Sequence, residues 1–303
     1  LLVEVGIEKL RFAKKVTTVE ISPRQSVALI GANTSNITLA QHLLDAGYKV
    51  HLVHRGNDIH LPADQLKYIA PTYNYVCHHP RFQVYGSAEI VDFYGYTGDF
   101  ILGIKSGEKV VELSVGAVAL SPEGDQDLIK IAHSIFHVDV NDDGSMAALD
   151  EITTRSLTRE DGIFISNPIQ KKNHQDICQL LVASDATASM VLNLLNRREI
   201  YHRITVSQVD ESLCGGCGVC VKTCMFQAVS LQGLTKVSVI DPRRCMGCGN
   251  CVTACPCGAR DLADKPVEYL YSAIDVLSDF KTKNKGKSVL LLACEGCGYE
   301  SLD

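Results

Sequence analysis

Short apolar runs alternate with stretches of helical periodicity over residues 24–198. Ser26–Ile30 predicts a buried strand, residues 36–46 have apolar positions at helical spacing, and Lys49–Val53 predicts a second strand. Gly47 stands where helices often end. A strand, a helix and a strand in this order are typical of one half of a dinucleotide-binding α/β fold.

The same alternation continues to residue 198. Further strands are predicted at residues 82–85, 100–104, 110–113, 115–120 and 163–166, and further helices at 127–136 and 183–196. After Tyr201 the pattern changes to short strands and cysteine-rich loops, which end near Asp264. Residues 267–280 then predict an amphipathic helix, and the basic stretch 281–287 predicts a solvated linker.

Composition narrows the classes of function. The chain of 303 residues has a net charge of −6 and a pI of about 5.9, so nothing indicates a nucleic-acid partner. By inspection, no apolar run approaches the ~20 residues of a membrane helix, and no signal peptide is evident, so we expect a cytoplasmic protein without a membrane span. Thirteen cysteines in such a chain favour a reducing compartment over a disulfide framework.

Eight of the cysteines form two runs with the spacing Cys-x2-Cys-x2-Cys-x3-Cys, which is the bacterial ferredoxin spacing for 4Fe–4S clusters. In two-cluster ferredoxins the fourth cysteine of each run ligates the other cluster. We therefore assign one 4Fe–4S cluster to Cys214, Cys217, Cys220 and Cys255. The other is assigned to Cys245, Cys248, Cys251 and Cys224, and Cys257 is expected to be a packed thiol beside the second loop.

The two runs are also an internal repeat, in which every cysteine of the first recurs thirty-one residues later. Gly216 and Gly218 recur as Gly247 and Gly249, which can supply the tight turns of a cluster-wrapping loop. Structural zinc is the competing interpretation, but zinc usually takes two Cys-x2-Cys pairs separated by a longer loop. Two runs of four cysteines therefore favour iron–sulfur clusters.

The first predicted strand leads into a weak nucleotide-binding motif. The Rossmann fingerprint requires glycine at its first, third and sixth positions, where this chain has Gly31, Asn33 and Asn36. An acidic residue normally follows the second strand to hold the ribose, but here His54 and Arg55 follow it. Three interpretations stay open: a bound nucleotide, a nicotinamide cofactor with a phosphorylated ribose near Arg55, and a fold retained as a scaffold after its ligand was lost.

Residues 1 to about 264 resemble the A subunit of heterodisulfide reductases, an iron–sulfur flavoprotein of anaerobic electron-transfer complexes. The resemblance is carried by residues 26–56, 79–109 and 127–168, and by the double ferredoxin run behind them. It implies a thioredoxin-reductase-like FAD domain, in which Gly31, Asn33 and Asn36 would lie at the FAD. In that family the flavin can split electron pairs between a high-potential and a low-potential route.

The chain also departs from this family. The family's Ala-Thr-Gly turn reads Leu120-Ser121-Pro122-Glu123, and its Gly-rich flavin segment is replaced by residues 166–172. The ferredoxin module that most members insert into the flavin domain is missing, and Cys77 stands alone where members carry a cysteine cluster. These departures leave two outcomes open, a chain that binds FAD and a chain that does not.

Residues 288–303 resemble the start of the delta subunit of methyl-viologen-reducing hydrogenase, a module that carries a 2Fe–2S cluster. The resemblance would make Cys294 and Cys297 two of its ligands, with the others beyond Asp303. A single Cys-x2-Cys pair also suits zinc or a redox dithiol. Because the chain begins at Leu1 and its last residues open a motif, we expect both ends to be cuts through a longer polypeptide.

We therefore predict an α/β Rossmann-like domain of the thioredoxin-reductase FAD/NAD-binding type, followed by an α+β two-cluster bacterial ferredoxin domain. The predicted divisions are a lead-in segment (1–25), a degenerate FAD/NAD-binding-like domain (26–203), a double 4Fe–4S ferredoxin domain (204–264), a helix and linker (265–287), and the start of a hydrogenase delta subunit-like module (288–303).

The predicted function is that of an electron-transfer subunit in an anaerobic, heterodisulfide reductase-like complex, which passes electrons through two 4Fe–4S clusters between donor and acceptor modules. One alternative is an FAD-containing subunit for electron bifurcation or confurcation, and another is a structural adaptor whose clusters stabilise an interface. Expected partners are other subunits of a heterodisulfide reductase-, hydrogenase- or formate dehydrogenase-like complex. No Ser–His–Asp or paired-carboxylate constellation follows from the spacing, so we predict no catalytic residues and no independent substrate turnover.

Overall fold

A computed structural model of the chain describes residues 11, 18–107, 109–122, 125–149, 156–166, 177–203, 205–233, 236–262 and 266–284. The chain divides into two compact units between His202 and Arg203. One unit contains residues 18–202, and the other contains both ferredoxin cysteine runs. Cys294 and Cys297, predicted as ligands of a 2Fe–2S cluster, lie outside the described residues.

The unit of residues 18–202 is built from helices and strands in alternation. Its described elements are β1 (Thr18–Ile21), β2 (Ser26–Ile30), α1 (Thr34–Asp45), β3 (Lys49–Val53), α2 (Ala63–His78), β4 (Phe82–Tyr85), β5 (Ala88–Tyr96), β6 (Asp99–Ser106), β7 (Lys109–Val115), β8 (Ala117–Leu120), α3 (Gln126–Phe136), β9 (Ile163–Ile165), α4 (Ile177–Leu195) and β10 (Ile200–Arg203).

Five of these strands form a parallel sheet in the order β4-β3-β2-β8-β9. Ile30 at the end of β2 pairs with Val53 of β3 on one side and with Leu120 of β8 on the other. The strand order therefore reverses at β2, which is the topological switch point of a Rossmann-type fold. This confirms the predicted fold class for the unit and places Gly31 at the crevice where such folds bind ligands.

Both faces of the sheet are covered, and β2 shows why the sequence there is continuously apolar. Val27 and Leu29 point into one core, which they share with helices α1 and α4. Ala28 and Ile30 point into a second core, which includes Phe136 of α3. Parallel strands buried on both sides need apolar side chains at every position, so the run Ser26–Ile30 is a strand without polar alternation.

A three-stranded antiparallel sheet, β5-β6-β7, lies in the chain between the parallel strands β4 and β8. Leu102 and Ile104 of β6 and Val115 of β7 are buried in the same core as Phe136. This sheet therefore helps to cover one face of the parallel sheet.

Helix α2 was not predicted from the sequence. It has Pro71 in its interior, and among its residues Ile69 and Val76 are the buried ones. With so few buried positions, the apolar periodicity that indicates a helix is weak. Helix α4 was predicted, but it begins at Ile177 and not near residue 183.

Helix α4 also corrects one expectation about membranes. By length and composition alone it could cross a membrane, so the statement that no apolar stretch approaches that length is wrong. A single helix of this kind is weak evidence, because core helices of folded domains have the same composition. In this unit Ala188, Val191 and Leu195 of α4 pack in the core. The absence of a membrane span stays a prediction.

The second unit contains short elements and one longer helix. They are β11 (Ser207–Val209), α5 (Val219–Thr223), β12 (Val229–Gln232), β13 (Val237–Ile240), α6 (Asn250–Thr253), β14 (Arg260–Leu262) and α7 (Val267–Asn284). Helix α7 continues to Asn284, so the prediction of a linker from residue 281 is wrong for residues 281–284. Residues 285–287 lie outside the described part of the chain.

The thirty-one-residue repeat is visible in these elements. The first half is β11-α5-β12, and the second half is β13-α6-β14 at nearly the same offset. Pairing, however, runs between the halves: β11 pairs with β14, and β12 pairs with β13, both antiparallel. The two halves are therefore interleaved, and each depends on the other for its sheet.

Candidate iron–sulfur sites

Two pockets in the described part of the second unit are each lined by four of the ferredoxin cysteines. The first is lined by Cys214, Cys217, Cys220 and Cys255. The second is lined by Cys245, Cys248, Cys251 and Cys224. Each pocket thus takes three cysteines from one run and the fourth from the other run, as interleaved halves require. This is the grouping in the crossed ligand assignment, while ligation of iron by these residues stays a prediction.

Glycines at equivalent positions let the cysteine loops approach the neighbouring backbone. Gly216 and Gly247 have φ values of +65° and +63°. Residues other than glycine rarely adopt this left-handed backbone conformation. A Cβ at Gly216 would lie 2.9 Å from the carbonyl oxygen of Lys236, and one at Gly247 would lie 2.6 Å from that of Thr205. Both loops therefore require glycine for conformation and for space.

Among its four ferredoxin cysteines, each pocket has one that is buried and one that is exposed. Cys220 in α5 and Cys251 in α6 are both 8% exposed, and they belong to one small core with Val229. Cys217 and Cys248 are exposed, and the four remaining cysteines of the two runs are intermediate. The pockets are therefore shielded on the side of the shared core and accessible on the side of Cys217 and Cys248.

Backbone amides are directed at the cysteine sulfurs. The amide of Ala228 donates to Cys224 Sγ at 3.3 Å, and the amide of Ala259 donates to Cys255 Sγ at 3.3 Å. Hydrogen bonds from the backbone of Ser238 and Gly216 lower the pKa of the Cys214 thiol, with a smaller contribution from the positive charge of Arg260. These donors favour the thiolate, which is the metal-binding form of cysteine.

The donor set suits clusters in both pockets. Four cysteines line each pocket. A cubane offers a separate iron to each of its four cysteines, so four thiols spread around a pocket fit it.

Cys257 differs from its expected environment. It is exposed and lines the first pocket, so the prediction of a packed thiol beside the second loop is wrong. Sequence analysis also missed Arg260, which is 4% exposed and lines the same pocket. Alignment of the two halves at the repeat offset could have pointed to Arg260, because the first half has the apolar Val229 at the equivalent position.

The first unit holds the residues of the predicted nucleotide site. The side chain of Asn33 caps α1: its Oδ1 accepts from the Asn36 amide at 3.0 Å, and its Nδ2 donates to Ser121 O at 2.9 Å. Asn36 Nδ2 donates to the carbonyl oxygens of Ile30 and Gly31 at 3.1 and 2.7 Å. The hydroxyl of Ser166 donates to Asn36 Oδ1 at 2.7 Å.

This buried network occupies the part of the fold that binds pyrophosphate in dinucleotide-binding proteins. There, helix amides point at the phosphates and glycines leave room for them. Here a side-chain oxygen of Asn33 accepts one of those amides, and two asparagine side chains fill the space. The loop therefore fits the pyrophosphate of a flavin dinucleotide poorly.

A cavity nevertheless lies next to this loop. It has a volume of about 290 Å³ and is lined by Gly31, His54, Arg55, Asp125 and Leu128, among others. Arg55 is ion-paired with Asp127 at 3.0 Å, which reduces its availability to a ribose phosphate. The position of the cavity suits a nucleotide and the donors of the loop do not, so FAD binding stays a prediction.

Comparison with known proteins defines the class of the cysteine-rich unit. A family model described as a 4Fe–4S dicluster domain matches residues 213–259, and a second with the same description matches residues 238–299. The unit is therefore an iron–sulfur domain of the kind that holds two 4Fe–4S clusters, as predicted from the cysteine spacing.

Relatives of the chain carry the name predicted from the family resemblance. One of two iron–sulfur A subunits of the CoB–CoM heterodisulfide reductase from Methanopyrus kandleri is 30% identical over 124 residues, which are 41% of this chain and 18% of that protein. The A subunit of the ferredoxin/F420H2-dependent CoB–CoM heterodisulfide reductase from Methanosarcina acetivorans is 29% identical over 121 residues, which are 36% of this chain and 15% of that protein. The chain is thus an iron–sulfur protein similar to the A subunit of heterodisulfide reductases, and the similarity spans less than a fifth of these relatives.

Among solved structures, thioredoxin reductase from Streptococcus pyogenes matches with a TM-score of 0.28 and 14% identity, covering 57% of this chain and 53% of that one. A likeness at this level carries no argument about function. The Rossmann-type assignment rests on the strand order β4-β3-β2-β8-β9.

Proposed function

We propose that this chain transfers electrons as a subunit of a heterodisulfide reductase-like oxidoreductase complex. The observation that carries the proposal is the pair of four-cysteine pockets in a dicluster domain, each completed by a cysteine of the other run. When bound, 4Fe–4S clusters supply one-electron carriers. The protein contributes the thiolates, the amides that stabilise their negative charge, and the core that shields them.

We assign Cys214, Cys217, Cys220 and Cys255 to one cluster and Cys245, Cys248, Cys251 and Cys224 to the other. The assignment is supported by the lining of the two pockets. It is also supported by the equal amide–sulfur bonds of Ala228 and Ala259, which repeat at the thirty-one-residue offset.

Electrons would pass between the pockets through the shared core. Cys220 of one pocket and Cys251 of the other belong to the same buried cluster with Val229, so the two sites are neighbours within the unit. Cys217 and Cys248 are exposed, and the surfaces around them are where a donor or an acceptor could approach. This arrangement supports a two-cluster relay more than an adaptor whose clusters only stabilise an interface.

The partners of the relay would be other subunits of a complex of the heterodisulfide reductase, hydrogenase or formate dehydrogenase type, and we expect the chain to act in the cytoplasm.

A second candidate function is electron bifurcation at a bound flavin, which the cavity beside Gly31 favours and the network around Asn36 disfavours. Flavin released by acid from the anaerobically purified full chain would support this second function. A flavin-free protein with about eight irons would contradict it.

The test of the ligand assignment compares Cys255→Ser with Cys257→Ser. Both residues line the first pocket, but only Cys255 belongs to a ferredoxin run. We expect Cys255→Ser to give the electron paramagnetic resonance (EPR) changes of Cys217→Ser, because both would damage the same cluster. Cys257→Ser is expected to keep about eight irons and the spectrum of the unaltered chain.

Two results would contradict the assignment. One is a Cys255→Ser spectrum that matches Cys248→Ser, which would place Cys255 on the other cluster. The other is a loss of iron in Cys257→Ser equal to that in Cys255→Ser. If the unaltered chain itself holds no iron–sulfur cluster, the proposed function is wrong.

A further inference from the structure

We propose that Arg260 is a buried cation shared by the two cluster sites, which raises the reduction potential of both clusters. The inference rests on the proposed two-cluster function and concerns what sets its driving force. Two features support it, the contacts of this side chain and its counterpart in the repeat.

The guanidinium of Arg260 contacts a cysteine of the second pocket, and Arg260 also lines the first pocket. Its Nη1 donates to Cys251 Sγ at 3.9 Å, a weak contact, and to Ser207 Oγ at 3.1 Å. Its Nη2 donates to the hydroxyl of Ser238. Since that oxygen accepts from Arg260, its proton is free for Cys220 Sγ, which lies 3.3 Å away.

The charge of Arg260 is not balanced by a carboxylate. Among the described residues no ion pair involves it. Its Nε is also buried without a hydrogen-bond partner in the described part of the chain. Arginine is rarely buried unless it is paired, and a guanidinium keeps its charge at any pH the protein meets. A buried, unpaired cation beside two sites for negatively charged clusters indicates that the clusters are its counter-charges.

The internal repeat supplies a comparison within the same unit. Thirty-one residues before Arg260 stands Val229, which begins β12 as Arg260 begins β14, and both are buried. The two serines that accept from Arg260, Ser207 and Ser238, are themselves equivalent at this offset. Arg260 therefore bridges two symmetry-related hydroxyls from a position that the other half fills with an apolar side chain. The fold does not need an arginine there, so its presence points to the clusters.

The expected effect on the reduction potential of the clusters follows from the positive charge of Arg260. Reduction adds one electron, from a low-potential one-electron donor such as another iron–sulfur centre, and makes the site more negative by one unit. A nearby positive charge with little water around it stabilises the added electron. Hydrogen bonds to the sulfurs act in the same direction, and both are known determinants of cluster potential.

The experiment is a redox titration of the anaerobically purified full chain, in which EPR monitors the two clusters as dithionite lowers the potential. We expect Arg260→Gln to lower the ratio of reduced to oxidised clusters about tenfold at a given potential, which is a shift of ~59 mV for a one-electron couple. Both clusters should shift. Arg260→Lys keeps the charge, so its cluster potentials should lie close to those of the unaltered chain.

The matched control is Arg243→Gln. It removes the same formal charge from the same unit, but the Arg243 side chain is 39% exposed and ion-paired with Asp241 at 3.2 Å. Water and the carboxylate screen its charge, so its shift should be less than threefold. If Arg260→Gln does not assemble clusters, Arg260→Val is titrated in its place, since it copies the buried Val229 of the first half.

The inference is overturned if the iron-loaded Arg260→Gln or Arg260→Val variant titrates as the unaltered chain does, or if Arg260→Lys shifts the potential as far as Arg260→Gln. Failure of both neutral variants to hold iron would also overturn it, because the residue would then serve assembly. Each of these outcomes leaves the unaltered chain with its two clusters. An unaltered chain without clusters contradicts the proposed function itself, so the two failures are distinguishable.

Discussion

Asn36 tests whether the nucleotide loop of the first unit is closed by its own side chains. Asn36→Ala removes a fully buried amide with three side-chain hydrogen bonds, to Ile30 O, Gly31 O and Ser166 Oγ. A hydrogen bond of this kind contributes ~0.5–1.5 kcal/mol net to the free energy of unfolding. The loss of three such bonds lowers the free energy of unfolding by about 3 kcal/mol, and the better helix propensity of alanine raises it by about 0.5 kcal/mol. We therefore expect a loss of about 2.5 kcal/mol.

The assay has to report on the first unit alone, because the chain has two units. Hydrogen exchange measured on peptides from α1 and β8 in increasing urea gives the opening free energy of this unit. The matched control is Asn74→Ala, which also replaces an asparagine in a helix. Asn74 is exposed, so its change should stay within ~0.5 kcal/mol.

An Asn36→Ala variant that loses less than ~0.5 kcal/mol would refute the reasoning, because the network would then not hold the loop closed. If this variant binds FAD, the loop is still able to hold a dinucleotide, and that result would favour the flavin-containing alternative.

Two further predictions concern the glycine loops and a buried histidine. Gly247→Ala should cost about 1–3 kcal/mol more than Gly258→Ala, which is the usual cost of overpacking, and should lower the iron content. Both glycines have left-handed φ values, +63° and +62°, but only at Gly247 would the added Cβ meet Thr205 O, at 2.6 Å. Equal losses in the two variants would contradict the clash. Burial lowers the pKa of the His54 imidazole, so its stabilising contribution to the first unit is present above about pH 6.5, the value of an unfolded histidine, and is lost as the pH falls below it. The urea midpoint of this unit should therefore be lower at pH 5 than at pH 7.5. His54→Asn should reduce this difference. If the variant has the same pH dependence as the unaltered chain, other groups cause the loss of stability at low pH.

The sequence predicted the parallel strands well, for a physical reason. The bounds of β2 and β3 agree with the predicted strands Ser26–Ile30 and Lys49–Val53, because strands buried on both faces have continuous apolar sequences. Helix α2 was not predicted because only two of its residues, Ile69 and Val76, are buried. Residues 281–284 were assigned to a linker because their charges suggested solvent, yet they form the end of helix α7.

Of the candidate sites, the grouping of the cysteines could be anticipated and the environment of Arg260 could not. Cysteine spacing reflects cluster geometry directly, so the crossed grouping follows from the sequence alone. The burial of Arg260 opposes the general preference of arginine for the surface. It depends on pairing between strands far apart in sequence, which places Ser207 and Ser238 around its guanidinium.

The interleaved halves make cluster binding and folding one problem. Among the described residues, the buried apolar cluster of the second unit consists of Cys220, Val229 and Cys251. Val221, Cys224, Ile240 and Val252 pack against this cluster. The core is small beside the entropy lost in ordering the loops around it, about 1–2 kcal/mol per residue, and Cys220, Cys224 and Cys251 are themselves proposed ligands. Since each pocket takes its fourth cysteine from the opposite run, a cluster bound in either pocket would join both halves, and metal binding would add to the cohesion of the small core. In the proposed assignment the crossed cysteines therefore serve the fold as much as electron transfer.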